Sequence, residues 1–236
     1  MTAGAQETPT LTHSCLSNTC WNEWQSNISP MPNPLPKVRR DSAGIHISED
    51  DGPSDHRPEF ALLAMKVIST WSIVEADMGA VFIRLLGANP GPATALFNAQ
   101  ITSRARMASI STVAKAVLDK PRLDALESIL ERAQVVAEAR NKIAHWTWGW
   151  HEKIPNAVLL MNPTDQIPIF LRIHQVAGSE AERAAQLAAI GEEIATKIWV
   201  YRKSDFTQII KSILDLGKEV VAFAESPGPG AFPPPP

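Results

Sequence analysis

A chain of 236 residues can hold one ordinary domain with tails, or at most two small domains, and 44% hydrophobic residues is normal for a chain with a core. The formal net charge of −3 excludes a broad cationic surface that coats nucleic acid through many phosphate contacts, although a local basic groove stays open. The first residues lack the basic, apolar and small-residue segments of a secretory signal, and no uninterrupted apolar run approaches the ~18 residues that would span a bilayer. A cytoplasmic protein with no membrane association is expected.

Residues 1–57 carry Pro9, Pro30, Pro32, Pro34, Pro36 and Pro53 among scattered Ser, Asn, Asp and Thr, with no sustained period, and read as a disordered extension. Cys15 and Cys20 fall in this stretch. Even with His13 they have no second ligand pair at zinc-like spacing, so they read as unpaired thiols; no metal and no cofactor is expected. Trp21 and Trp24 read either as exposed aromatics or as a short amphipathic turn that docks on the folded body or on a partner.

The folded region is expected over 58–225. Pro58-Glu59 opens a helix whose Phe60, Leu63, Val67, Trp71, Val74, Met78, Val81 and Leu85 recur at three- and four-residue steps, until Gly87 to Pro92 ends it. A similar period runs from Ser103 to Leu118 and, after Lys120-Pro121, from Pro121 to Ala144. Then the pattern changes. An inserted subregion, about 150–203, reads as strands at 157–161 and 167–173, an alanine-rich helix at 179–193 and a strand at 198–201. Ser204-Asp205 caps a last helix carrying Phe206, Ile209, Ile210, Ile213, Leu214, Leu216, Val220 and Phe223. Residues 226–236, rich in Pro and Gly, cannot pack and read as a disordered tail. The fold class is therefore mainly α, a helical bundle with a small strand-containing insertion before its last helix. No Gly-rich phosphate loop, Gly-x-Ser-x-Gly elbow or His-Glu-x-x-His run occurs.

The chemistry-bearing residues gather at the end of the third helix, in Arg140-Asn141-Lys142-Ile143-Ala144-His145. Arginine, a polar residue, three more and histidine, so placed, resemble the HEPN signature. Trp71-Ser72-Ile73-Val74-Glu75 and Asp205-Phe206 are similar to the first and last helices of bacterial members, so the resemblance covers roughly 60–224. It implies a helical bundle that forms a homodimer, with the motifs of two subunits lining one groove. Many members are metal-independent endoribonucleases, so it implies an enzyme acting on RNA, as a toxin or defence effector checked by an antitoxin or regulatory partner. Others have lost catalysis, which implies instead a silent dimeric module that binds RNA or protein.

An RNase without metal needs a group that exchanges protons near neutral pH and a fixed cation for the developing phosphorane charge, and histidine and arginine meet those needs. His145 would deprotonate the ribose 2′-hydroxyl or protonate the leaving 5′-oxygen, Arg140 would grip phosphate oxygens bidentately, and Asn141 would orient the imidazole or touch the phosphate. Arg140 and His145 nevertheless lie about 140° apart around an ideal helix. Either the helix end unwinds near the tryptophans, or two subunits juxtapose their motifs, and the dimer is preferred.

Glu75, inside the apolar face of the first helix, is expected to pair with Arg140, as a structural ion pair or as part of a catalytic network with His145. Trp146, Trp148 and Trp150 alternate along an extended segment, so their rings share one side, for core or dimer packing or for stacking on RNA bases. Arg104, Arg106, Lys115, Lys120 and Arg122 cluster around the second helix, as a solvated face or as phosphate contacts. His151 and His174 read as surface residues.

Overall fold

The computed structural model describes residues 32–38, 45–47, 52 and 56–226. His13, Cys15, Cys20, Trp21, Trp24 and the tail beyond Ser226 lie outside the described residues. Among the described residues the chain is mainly helical with one small antiparallel sheet.

Helix α1 (Leu35–Val38) is a single turn; α2 (Pro58–Leu86), α3 (Pro90–Asn98), α4 (Ser103–Val117) and α5 (Lys120–His145) follow in succession. After two strands come α6 (Pro163–His174) and α7 (Glu180–Lys197), and after one more strand the last helix, α8 (Lys203–Glu225). The sheet consists of β1 (Asn33–Pro34), β2 (Ile45–Ile47), β3 (Thr147–His151), β4 (Ala157–Met161) and β5 (Ile198–Arg202), in the order β1-β5-β4-β3-β2. Every neighbouring pair is antiparallel, with Leu160 opposite both Trp148 and Trp199.

Two apolar cores follow from the two faces of this sheet. On one face Val158, Leu160 and Tyr201 join the bundle core built from α2, α4, α5 and α8 around Trp71, Phe60, Ile110, Ala133 and Phe206. On the other, Ala157, Leu159, Met161, Ile198 and Val200 pack with Leu35 of α1, Ile169 of α6 and Ile190 of α7. That is why β4 reads as the unbroken apolar run Ala-Val-Leu-Leu-Met: covered on both sides, it has no position left for the polar half of an alternating pattern.

Helix ends obey local chemistry. α2 has proline in its first turn and stops at Gly87, whose φ of 57° is the left-handed geometry glycine tolerates at a C-terminus. Asn89, Thr102, Asp119, Asn162 and Ser179 each accept a backbone N–H at the start of a helix. Arg84 Nη1 donates to the Ala224 carbonyl at 2.7 Å, satisfying a terminal acceptor of α8.

Three expectations need correction. Asn33–Val38 and Ile45–Ile47, inside the stretch read as disordered, form β1, α1 and β2. Residues 167–173, read as a strand, lie within α6: Asn162 caps it, Pro163 fills its first turn, and Ile169 alone is buried, so the apolar run serves a one-sided helix. Pro90-Gly91-Pro92, read as a pure breaker, opens α3, where proline's missing donor costs nothing.

Candidate functional site

Helix α5 stays regular through His145, and the Trp146 N–H still donates to the Lys142 carbonyl at 3.0 Å. The first of the two geometric alternatives, unwinding near the tryptophans, is therefore not what happens. Three features hold this helix end. Ile143 is buried in the bundle core, the Trp148 indole N–H donates to the Ile143 carbonyl at 2.9 Å, and the Trp148 ring lies 6.0 Å from that of Phe206. One of the carbonyls that every helix leaves unpaired at its C-terminus is thereby answered by the strand that follows.

On this fixed end Asn141 and His145 are exposed and Arg140 is half-buried. Arg140 Nη1 donates to Asn141 Oδ1 at 3.1 Å. Asn141 lies four residues before His145 and shares its face. The bond joins Arg140 to a neighbour on the histidine's face of the helix. Arg140 Nε is buried and has no hydrogen-bond acceptor among the described residues. A charged donor left in that condition is costly, and with no accessible surface it is not itself open to a ligand. No hydrogen bond or ion pair engages His145 among the described residues.

Glu75 does not reach Arg140. Its Oε1 accepts from the Ser103 hydroxyl at 2.6 Å and pairs with Arg106 Nη1 at 3.4 Å, tying α2 to α4 instead of α5. Arg106 also donates through Nε to the Gln100 carbonyl and lies over the Phe97 ring, so it is a structural cation. The rest of the basic cluster is largely engaged. Lys115 pairs with Glu127, Lys120 pairs with Asp124, and the Arg122 guanidinium lies over Phe223. Arg104 is exposed at the start of α4.

The three alternating tryptophans have three environments. Trp148 is packed as described. The Trp150 ring stacks on His46 at 4.1 Å and lies 4.4 Å from His56, and His46 Nε2 is 3.4 Å from Glu152 Oε1, so this indole joins β3 to β2 and to the chain entering α2. Trp146 is half-buried beside the motif, with the Lys142 ammonium 5.4 Å from its ring centre; the same ammonium is 5.9 Å from Trp199 of β5. Lys142 and Trp199 had no place among the candidate residues. The strand period puts Trp199 on the bundle face of β5, but nothing in a period tells which helix end that face meets. His151, read as a surface residue, is fully buried, its Nδ1 accepting the Lys153 N–H at 3.0 Å.

No family model, curated protein or solved structure matches this chain.

Burial raises the Asp205 carboxyl above its ordinary value of 3.8, against the Arg202 N–H that donates to it at 2.7 Å. Burial likewise pushes up the Tyr201 phenol, with the Asp205 charge adding to the effect. Both groups sit at the junction of β5 and α8.

Proposed function

We propose that this chain is an endoribonuclease of HEPN type whose groove is completed by a second copy, with Arg140 and His145 as the reacting pair and Asn141 supporting both. The observation that carries the reading is that a half-buried Arg140, bonded through Nη1 to Asn141, and an exposed His145 share the regular last turns of α5. A guanidinium so disposed still has donors for phosphate oxygens, and an exposed imidazole lies on the same helix end.

In this mechanism His145, or its counterpart in the second copy, removes the proton from a ribose 2′-hydroxyl. The 2′-oxygen forms a bond to phosphorus while the bond from phosphorus to the 5′-oxygen breaks. The leaving 5′-oxygen takes a proton, giving a 2′,3′-cyclic phosphate and a 5′-hydroxyl. Arg140 stabilises charge on the non-bridging oxygens as it develops. No step in this scheme calls on a metal ion. A role as a toxin or defence effector, restrained by an antitoxin or another regulatory partner, belongs to the same reading.

The purified full chain should cleave single-stranded RNA in EDTA and leave cyclic-phosphate ends. Arg140→Ala and His145→Ala should each lower the rate by about 10²–10⁴-fold while remaining folded. Cleavage that persists in His145→Ala rejects the assigned role. A second reading, a silent dimeric module that binds RNA or protein, draws on the pairing of Lys115, Lys120 and Arg106 with carboxylates, which leaves few cations for phosphates. RNA binding with no new end groups would select it.

A further inference from the structure

We propose that Lys142 is a phosphate-contacting residue of this groove, pre-positioned by the indoles of Trp146 and Trp199, and that its ligand is a backbone phosphate of single-stranded RNA next to the scissile bond. This rests on the endoribonuclease reading and adds a residue to it.

Lys142 lies three positions before His145, so the two side chains are neighbours on the helix surface. Four positions before Lys142 stands Glu138, the spacing at which glutamate and lysine usually pair. They do not pair here: Glu138 Oε1 accepts from Gln134 Nε2 at 2.9 Å, and no carboxylate pairs with Lys142 among the described residues. The ammonium instead lies over two half-buried rings, 5.4 Å from Trp146 and 5.9 Å from Trp199. Ring faces attract the charge without supplying lone pairs in the way a carboxylate does, so the N–H donors stay available for phosphate oxygens. Trp199 arrives from β5, more than fifty residues along the chain, so the strand-containing subregion helps to fix a cation beside the motif. A lysine in a last helical turn also favours the helix dipole and covers apolar surface, and a purely structural role of that kind would leave the RNA salt dependence unchanged.

The test uses the full chain in the His145→Ala background, so that RNA stays intact, with a fluorescent single-stranded oligoribonucleotide titrated at several salt concentrations. Lys142→Ala should weaken binding and reduce the slope of log affinity against log salt by about 0.7, the share of one phosphate contact on a single strand, while Lys142→Arg keeps the slope. Trp199→Leu, which preserves apolar cover, should weaken binding when Lys142 is present and add little to Lys142→Ala. Thermal melts establish that each variant is folded. An unchanged slope in folded Lys142→Ala overturns this inference and leaves Arg140 and His145 in place; additive losses for Trp199→Leu overturn the positioning role. A chain that neither cleaves nor binds RNA overturns the inference together with the reading beneath it.

Discussion

At Glu75 a half-buried carboxylate on α2 holds the Ser103 hydroxyl and the Arg106 guanidinium of α4. Removing it leaves a partly desolvated cation and a hydroxyl without their acceptor. Glu75→Ala should therefore destabilise the chain by about 1–3 kcal/mol in denaturant titrations, as expected when one partner of a shielded polar pair is deleted. His145→Ala offers the contrast. An exposed side chain with no partner among the described residues should change stability by no more than about 0.5 kcal/mol, so any loss of cleavage reports chemistry and not unfolding. Asp205 gives a pH test. Its carboxyl is raised in the folded chain, so its stabilising contribution is full below the ordinary carboxylate value and fades as pH rises through the higher folded value. The stability of the native chain minus that of Asp205→Asn should be larger at pH 3.5 than at pH 7. An equal or reversed difference would show that burial does not govern this group.

Among the elements, β3 controls both the helix before it and the strand beside it. Trp148→Phe keeps most of the apolar volume but removes the indole donor to the Ile143 carbonyl, and should cost about 0.5–1.5 kcal/mol, with faster amide exchange in the last turn of α5. Gly149 matters for a different reason. A Cβ there would lie 2.4 Å from the His46 carbonyl oxygen, so Gly149→Ala should push β2 away from β3 and raise exchange at Ile45–Ile47. The long helices were legible because their apolar residues recur at the helical period over many turns, and α2, α4 and α8 begin or end close to their caps and breakers. α3 and α6 were not, because proline both stops one helix and starts the next, and a short apolar run does not declare its period. β1 and β2, only two and three residues long, carry too few residues for any pattern.

For the whole molecule, the proposed function has two copies bring the motif residues to one phosphate, since α5 stays regular through His145. If the groove draws arginine from one copy and histidine from the other, mixing Arg140→Ala with His145→Ala should restore about a quarter of native activity, since half the random dimers are mixed and each keeps one intact pair. No recovery would place both groups in the same copy. The motif itself was legible as a short run of residue types, and so was its place at a helix end. The mistaken pairing of Glu75 with Arg140 has a plain cause: helical periodicity tells which residues share a face, but not which neighbouring helix that face meets. Trp199 beside Lys142 escaped notice on the same ground, since it depends on how the sheet lies on the bundle.

The residues before α2 hem the sheet on both sides, β1 along β5 and β2 along β3. A chain trimmed to begin at Pro58, where the helical pattern starts, would keep every bundle helix yet bare two strand borders at once. Such borders recruit other strands, so the trimmed protein should aggregate at concentrations where the full chain stays dispersed, as light scattering would reveal. The stretch that looks most dispensable by composition would then be a guard against filament-like stacking.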